Sequence, residues 1–229
     1  MDANATEPLR PEARAAVLAA LDLAGNPSSV HAEGRAARRA LEDARATVAR
    51  VLGARPQDVV FTAGGTEANA LAVRGLSAGR RVLVGATEHP AVLRAAPEAS
   101  LLPVLADGTL DLAALEVVLA AGGPALVCLM AANNETGVLH PIARAAALCR
   151  AHGALLHVDA VQAAGRVPVA IEGADSLAIS GHKLGGPKGA GALVLRAGLD
   201  VAPLVAGGGQ ERGRRGGTEP LPAIAGMAA

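Results

Sequence analysis

The stretch SGHKLGGPKGAG, residues 180–191, holds Lys183 and Lys188, and the 229-residue chain has no other lysine. Arginine supplies the other 19 of its 21 cationic side chains. The difference is chemical. A guanidinium stays protonated and is a poor nucleophile, whereas a desolvated amine can shed its proton and attack a carbonyl. Two lysines in one glycine-rich turn, directly after the apolar run SLAIS, are therefore candidates for carbonyl chemistry. Chance clustering in an Arg-rich, Ala-rich chain is the plain alternative.

Other polar residues gather after apolar runs. In FTAGGTEAN, Gly64 and Gly65 would let backbone N–H groups approach a ligand closely, and Thr66 opens a helix whose first turn attracts anions. An ordinary glycine turn with a threonine cap is the alternative. No GxxxxGK[ST] loop occurs, and GGGQERG at 207–213 misses the GxGxxG spacing by one. His89 follows RVLVGATE, Asn134 follows ALVCLM, and Asp159 closes ALLHVD. A carboxylate at the end of an apolar strand needs a cationic partner or several donors. The protonated pyridine nitrogen of pyridoxal 5'-phosphate is such a partner, and an acid there lets the ring accept electrons; a turn or helix cap is the alternative. Ser180 and His182 flank Lys183 and could donate to the phosphate of the same cofactor. His152 and His157 read as surface or helix-end residues. With no HExxH and no paired His/Cys spacing, no metal is expected.

These groups need elements to hold them at one place. Strands are expected over 58–62, 81–85, 101–105, 125–130, 154–159, 176–180 and 191–196. Helices are expected over 9–22, 33–52, 66–76, 88–96, 111–123, 142–153 and 221–229. Strand and helix alternate, which predicts an α/β fold with three α/β/α layers and a mostly parallel seven-stranded sheet. Pro103 marks the third strand as peripheral. The last two strands are joined by the lysine turn alone and are expected to pair antiparallel at the end of the sheet. In such sheets ligands bind beyond the carboxyl ends of the strands, where the polar residues collect. A segment 1–22 precedes the domain at 23–229.

Composition narrows the class. Hydrophobic residues make up 51% of the chain and charged residues 18%, enough for a sizeable core. The formal net charge is +0 and Phe61 is the sole aromatic residue, so neither phosphate neutralisation nor base stacking on nucleic acid is expected. Cys128 and Cys149 are too few for a disulfide framework. Asp2 precedes the first apolar stretch with no basic region, and no apolar run reaches about 18 residues. A cytoplasmic protein without a membrane partner is the expectation.

Taken together, the chain resembles the cysteine desulfurases of the class V aminotransferase family, whose fold is the large domain of fold-type I pyridoxal-phosphate enzymes. The matching segments are DANAT (2–6), GNPSSVHAEG (25–34), FTAGGTEANALAVRG (61–75), TEHPAV (87–92), NNETGVLHPI (133–142), HVDAVQAAG (157–165), SGHKLGGPKGAGAL (180–193) and GGGQERGRRGGT (207–218). The resemblance implies that Lys183 binds the cofactor as a Schiff base and then moves the substrate proton. It implies that Asp159 pairs with the ring nitrogen, that His89 stacks on the ring and helps move protons, and that Asn134 and Gln162 reach the ring substituents. Gly65, Thr66, Ser180 and His182 would bind the phosphate. Thr218 would reach the phosphate site of a neighbouring subunit, which implies a homodimer. Lys188 would be structural, and Asn4, Asn26 and His31 would approach the substrate side. The implied reaction takes L-cysteine to L-alanine with sulfur passed to a protein persulfide, for iron–sulfur cluster assembly or tRNA thiolation through an acceptor such as a scaffold protein. An aminotransferase, a selenocysteine or cysteine-sulfinate lyase, or a non-catalytic cofactor-binding fragment are the alternatives.

The pattern also departs from the family. Its nucleophilic cysteine and small C-terminal domain lie beyond the region corresponding to Ala229, so the chain is expected to be truncated and, alone, to fail at sulfur transfer. Cys128 and Cys149 read as inert core thiols.

Overall fold

The computed structural model describes residues 2–229. Seven strands form one sheet: β1 (Val59–Thr62), β2 (Arg81–Gly85), β3 (Ser100–Leu102), β4 (Ala125–Met130), β5 (Leu155–Asp159), β6 (Ser176–Ser180) and β7 (Gly191–Leu195). Their order is β1-β7-β6-β5-β4-β2-β3. The ladders β2–β3, β2–β4, β4–β5 and β5–β6 are parallel, and β7 runs antiparallel to both β6 and β1. Around the sheet lie α1 (Pro11–Leu21), α2 (Ala32–Val51), α3 (Gly65–Leu76), α4 (Pro90–Leu93), α5 (Leu112–Ala120), α6 (Ile142–Ala151) and α7 (Leu221–Ala228).

The period of two along each strand divides the apolar residues between two cores. Val59, Phe61, Leu83, Val127, Leu129, Leu156, Val158, Leu177 and Ile179 meet α2, α5, α6 and α7 on one face. Val60, Val84, Leu126, Cys128, Ala178 and Leu193 meet α3 on the other. Both faces of the central strands are covered, so β4 and β7 read as unbroken apolar runs and every residue of β6 is buried.

Two expectations need correction. The β6–β7 pair is antiparallel as expected, yet it does not end the sheet, because β1 lies outside β7. The outward backbone groups of β1 are closed by side chains. Arg45 on α2 donates to Val59 O at 2.9 Å, and Glu211 accepts from Phe61 N–H at 2.7 Å. An ion pair thus does for this edge what a further strand would do. The helix expected over 88–96 shrinks to the single turn of α4. Pro97 disfavours helical backbone at Ala96, and the chain must be extended again by Ser100. β3 is the opposite edge and stops before Pro103, as the proline requires.

Because β7 alone is reversed, β1, β2, β4, β5 and β6 all finish on one side of the sheet. The links that follow Thr62, Gly85, Met130, Asp159 and Ser180 therefore meet there. Gly191, the first residue of β7, lets the 63–65 turn cross the strand ends; a Cβ on it would stand 2.6 Å from the carbonyl carbon of Gly64.

Candidate active site

These links enclose a cavity of about 700 Å³. Its wall includes Gly65, Thr66, His89, Asn134, Asp159, Gln162, Ser180, His182 and Lys183, nine of the ten residues that the sequence marks for the site. The tenth, Thr218, is exposed and does not line it. Lys188 lies on the same wall and is exposed. Asn26 and His31 stay away from the wall: Asn26 accepts from Ser28 N–H, and His31 caps α2. A larger groove of about 950 Å³ adjoins Lys183, but its wall is formed mainly by apolar residues such as Val48, Val51, Leu52, Val169 and Met227.

Asp159 ends β5, buried, with one donor on each oxygen. Val161 N–H reaches Oδ1 at 2.9 Å and Asn69 Nδ2 reaches Oδ2 at 2.7 Å. Burial raises its proton affinity; the two hydrogen bonds and the fields of His89 and Lys183 oppose the rise. Lys183 stands in the 3-10 turn after β6. Burial lowers its proton affinity and Arg166 lowers it further, against Asp2 and Asp159. That is the environment that frees an amine for attack.

The amino-terminal segment closes one side of the cavity. Asn4 O accepts from Lys183 Nζ and from Gln162 Nε2, the latter at 2.8 Å. Asn4 Nδ2 donates to Asn134 O at 2.9 Å, and Thr6 Oγ1 lies 3.2 Å from His182 Nδ1. Arg166 ties the arrangement together by donating to Ala3 O, Glu7 and Gln162. His89 accepts from Ala91 N–H through Nδ1 and so caps α4. That leaves its Nε2 uncommitted in the cavity wall.

The opposite end suits an anion. No side chain caps α3, whose N-terminal turn faces the cavity through Gly65 and Thr66. A Cβ on Gly65 would lie 2.6 Å from Val161 Cγ2 and 3.2 Å from Ser180 Cβ, so only glycine brings the helix start this close. Ser180 Oγ is buried without a partner.

Some functional candidates escaped the sequence reading. His157 is a correction: it is fully buried in β5, not at a helix end or the surface. His152 does cap α6 and is exposed. Asn69 was missed, although its place four residues after Gly65 puts it on the same face of α3. Glu88 was missed too. One of its oxygens accepts from Met130 N–H and the other, buried, has no partner. Burial holds its carboxyl well above the usual range, and the Asp159 charge adds to the rise.

Glu88 gives a pH-dependent expectation. Below the unfolded value near 4.5 the carboxyl is protonated in both states. As pH rises, the unfolded chain ionises first and is favoured, so Glu88 subtracts stability until its raised folded pKa is passed. Glu88→Gln should therefore match the wild type in denaturant stability near pH 4 and exceed it near neutrality, by about 1 kcal/mol or more. Equal stability at both pH values would show that the carboxyl is ionised when folded.

Cys128 and Cys149 are buried as expected. Burial raises the Cys128 thiol well above its usual range and pushes Cys149 up to about 12. Neither is a thiolate at neutral pH. Iodoacetamide should label neither in the native protein and both after unfolding.

Residues 1–229 match the family model for aminotransferase class-V. The chain belongs to the class V aminotransferase family. It is 44% identical over 243 residues to a cysteine desulfurase of Cereibacter sphaeroides, covering 99% of this chain and 62% of that protein. It is 41% identical to an IscS-like cysteine desulfurase of Mycobacterium tuberculosis, covering 100% of this chain and 63% of the other. A NifS-like protein from Rickettsia africae superposes with a TM-score of 0.94 at 36% identity, over 99% of this chain and 66% of that one. A structure described as SspA in complex with cysteine superposes at 0.90 and 32% identity, over 99% and 70%. The chain thus spans about three fifths of the length of the curated relatives it matches. Its seven-stranded α/β fold is the NifS-like one, and the class V family is pyridoxal-phosphate dependent.

Proposed function

We propose that the protein is a pyridoxal-phosphate enzyme of cysteine desulfurase type acting on L-cysteine. The observation that supports this best is the pairing, across one cavity, of a partly desolvated lysine with a buried strand-end carboxylate. The residues suit the cofactor at both ends. Ser180 Oγ lacks a partner beside the glycine-lined start of α3, where a phosphate would find donors. Asp159 has only one donor on each oxygen, which leaves room for a cationic ring nitrogen. When bound, pyridoxal phosphate supplies an aldehyde and a ring that takes up electrons.

Within that arrangement the side chains divide the work. Lys183 would supply the amine that holds the cofactor's aldehyde and, when not so engaged, would accept the proton from the substrate Cα. Asp159 would pair with the ring nitrogen and favour its protonated form. His89 presents Nε2 to the cavity for a second proton movement, and Asn134 and Gln162 would hold the ring substituents. Gly65, Thr66, Ser180 and His182 would hold the phosphate. L-cysteine as substrate is supported by the desulfurase relatives and by the neighbour solved with cysteine. The products would be alanine and a persulfide on a cysteine other than Cys128 or Cys149, whose thiols are buried and protonated. Thr218, exposed and outside its own cavity, is free to serve the phosphate site of a second copy, so a homodimer completes the proposal. Sulfur delivery to a scaffold protein is the corresponding partner proposal.

Product analysis tests the reading. The protein in its natural full length, loaded with cofactor and given L-cysteine, should release alanine and reducible sulfur. A keto acid in place of alanine would make it an aminotransferase.

A further inference from the structure

Behind Asp159 a string of polar side chains leads away from the cavity into the core between α3 and the sheet. Asn69 Nδ2 donates to Asp159 Oδ2 at 2.7 Å. Asn69 Oδ1 lies 2.9 Å from His157 Nε2, and His157 Nδ1 lies 2.9 Å from Ser176 Oγ. Asn69, His157 and Ser176 are at most 1% exposed. Their neighbours in this layer, Leu71, Leu126, Cys128 and Ala178, are apolar.

Hydrogen-bond bookkeeping sets the direction. An ionised Asp159 can only accept, so the amide nitrogen of Asn69 must face it and the amide oxygen must face His157. His157 Nε2 must then carry a proton. Burial pushes His157 down to about 3, so the ring is neutral and Nδ1 is bare. The Ser176 hydroxyl is left to donate to it. Every bond donates towards Asp159, and such chains polarise one another. A satisfied polar string contributes little stability beyond an apolar filling of the same volume. Its distinctive effect is electrostatic, and it is felt at the one end that reaches the cavity. The other titratable groups that interact with Asp159 are Glu88, whose own carboxyl is raised by the Asp159 charge, and His89 and Lys183, which favour the ionised form of Asp159.

We propose that Ser176, His157 and Asn69 form a one-way donor string that keeps Asp159 ionised and its carboxylate turned to the cavity. Asn69 and His157 are positioning residues, since they act through Asp159. The purpose of that charge rests on the cofactor reading above, whereas the direction of the string is a property of the protein alone.

The test starts with the protein free of cofactor. Long-range imidazole ¹H–¹⁵N spectra should show His157 as the Nε2–H tautomer, without titration between about pH 5 and pH 8. The carboxyl ¹³C signal of Asp159, followed against pH, should report a proton affinity raised about tenfold in Asn69→Leu. His157→Leu should raise it in the same direction. His157→Gln, which can keep a donor where Nε2 stood, should return it to within about threefold of wild type. With pyridoxal phosphate bound, the pH midpoint of its visible absorption should shift in the same order across the variants. An Nδ1–H tautomer overturns the proposal, as does an Asp159 midpoint unmoved by Asn69→Leu. Equal shifts in His157→Leu and His157→Gln would assign the effect to packing and also overturn it. If a variant does not fold, the tautomer in the unaltered protein decides. Wild-type protein with the Nε2–H tautomer that takes up no cofactor would sink the functional reading and leave the string in place.

Discussion

Lys183→Ala is expected to abolish covalent uptake of pyridoxal phosphate and to slow chemistry at the substrate Cα by on the order of 10²–10⁴-fold, the range of a positioned acid–base group. No other side chain can take its place. Arginines supply the other cations of the chain apart from Lys188, and a guanidinium does not lose its proton under these conditions. Lys188 is exposed on the cavity wall, whereas burial and Arg166 ease deprotonation at Lys183. Lys188→Ala should therefore keep the long-wavelength absorption of the bound cofactor, and Lys183→Ala should lose it. The loss should not reflect unfolding. The Lys183 side chain has one hydrogen-bond partner, Asn4 O, in an exposed contact, so the variant's stability should lie within about 1 kcal/mol of wild type. An unchanged spectrum in Lys183→Ala would remove that residue from its role.

The second large effect concerns the edge of the sheet. Glu211→Gln is expected to destabilise the protein by about 3 kcal/mol, the low end for breaking a buried ion pair, because Arg45 keeps a half-exposed partner in Glu42 at 3.0 Å. Arg45 and Glu211 are 2% and 5% exposed and meet through two bonds, at 2.6 and 2.7 Å. The same carboxylate accepts from Phe61 N–H, and the guanidinium stacks 4.7 Å over the Phe61 ring. A glutamine has one acceptor oxygen for three donors, and its NH₂ group would face N–H groups. Glu211 and its neighbour Arg212 also hold left-handed backbone, with φ of 49° and 59°, which few side chains adopt without support. The thermal midpoint should fall by about 10 °C for a chain of this size. Arg45→Met combined with Glu211→Leu should recover much of the loss, because no charge is then left buried alone. A change below about 1 kcal/mol in Glu211→Gln would mean that the edge of β1 is held by something else.

Much of this site could be read from the chain because its parts are local. A lysine, an aspartate and a glycine pair each follow an apolar run, and in a parallel sheet the ends of such runs converge. The seven strands were legible for the same reason, since each is a short apolar segment bounded by turn residues. What could not be read depends on contacts between segments far apart. His157 occupies an alternate position in β5 and looks like an interruption of its apolar pattern; only the packing of α3 over that face supplies Asn69 as its partner. The place of β7 inside the sheet depends on Arg45 and Glu211 closing the outer edge of β1, and those two residues are 166 positions apart. The shortened α4 shows a local rule, the restriction before Pro97, outweighing a helix-like run of Ala, Leu and Val.

The two lysines allow one direct measurement. Protein loaded with pyridoxal phosphate is reduced with borohydride, digested, and mapped by mass spectrometry for the stable pyridoxyl adduct. The adduct is expected on the peptide containing Lys183, at that residue alone. An adduct on Lys188, or none on either lysine in protein that has bound the cofactor, would contradict the account.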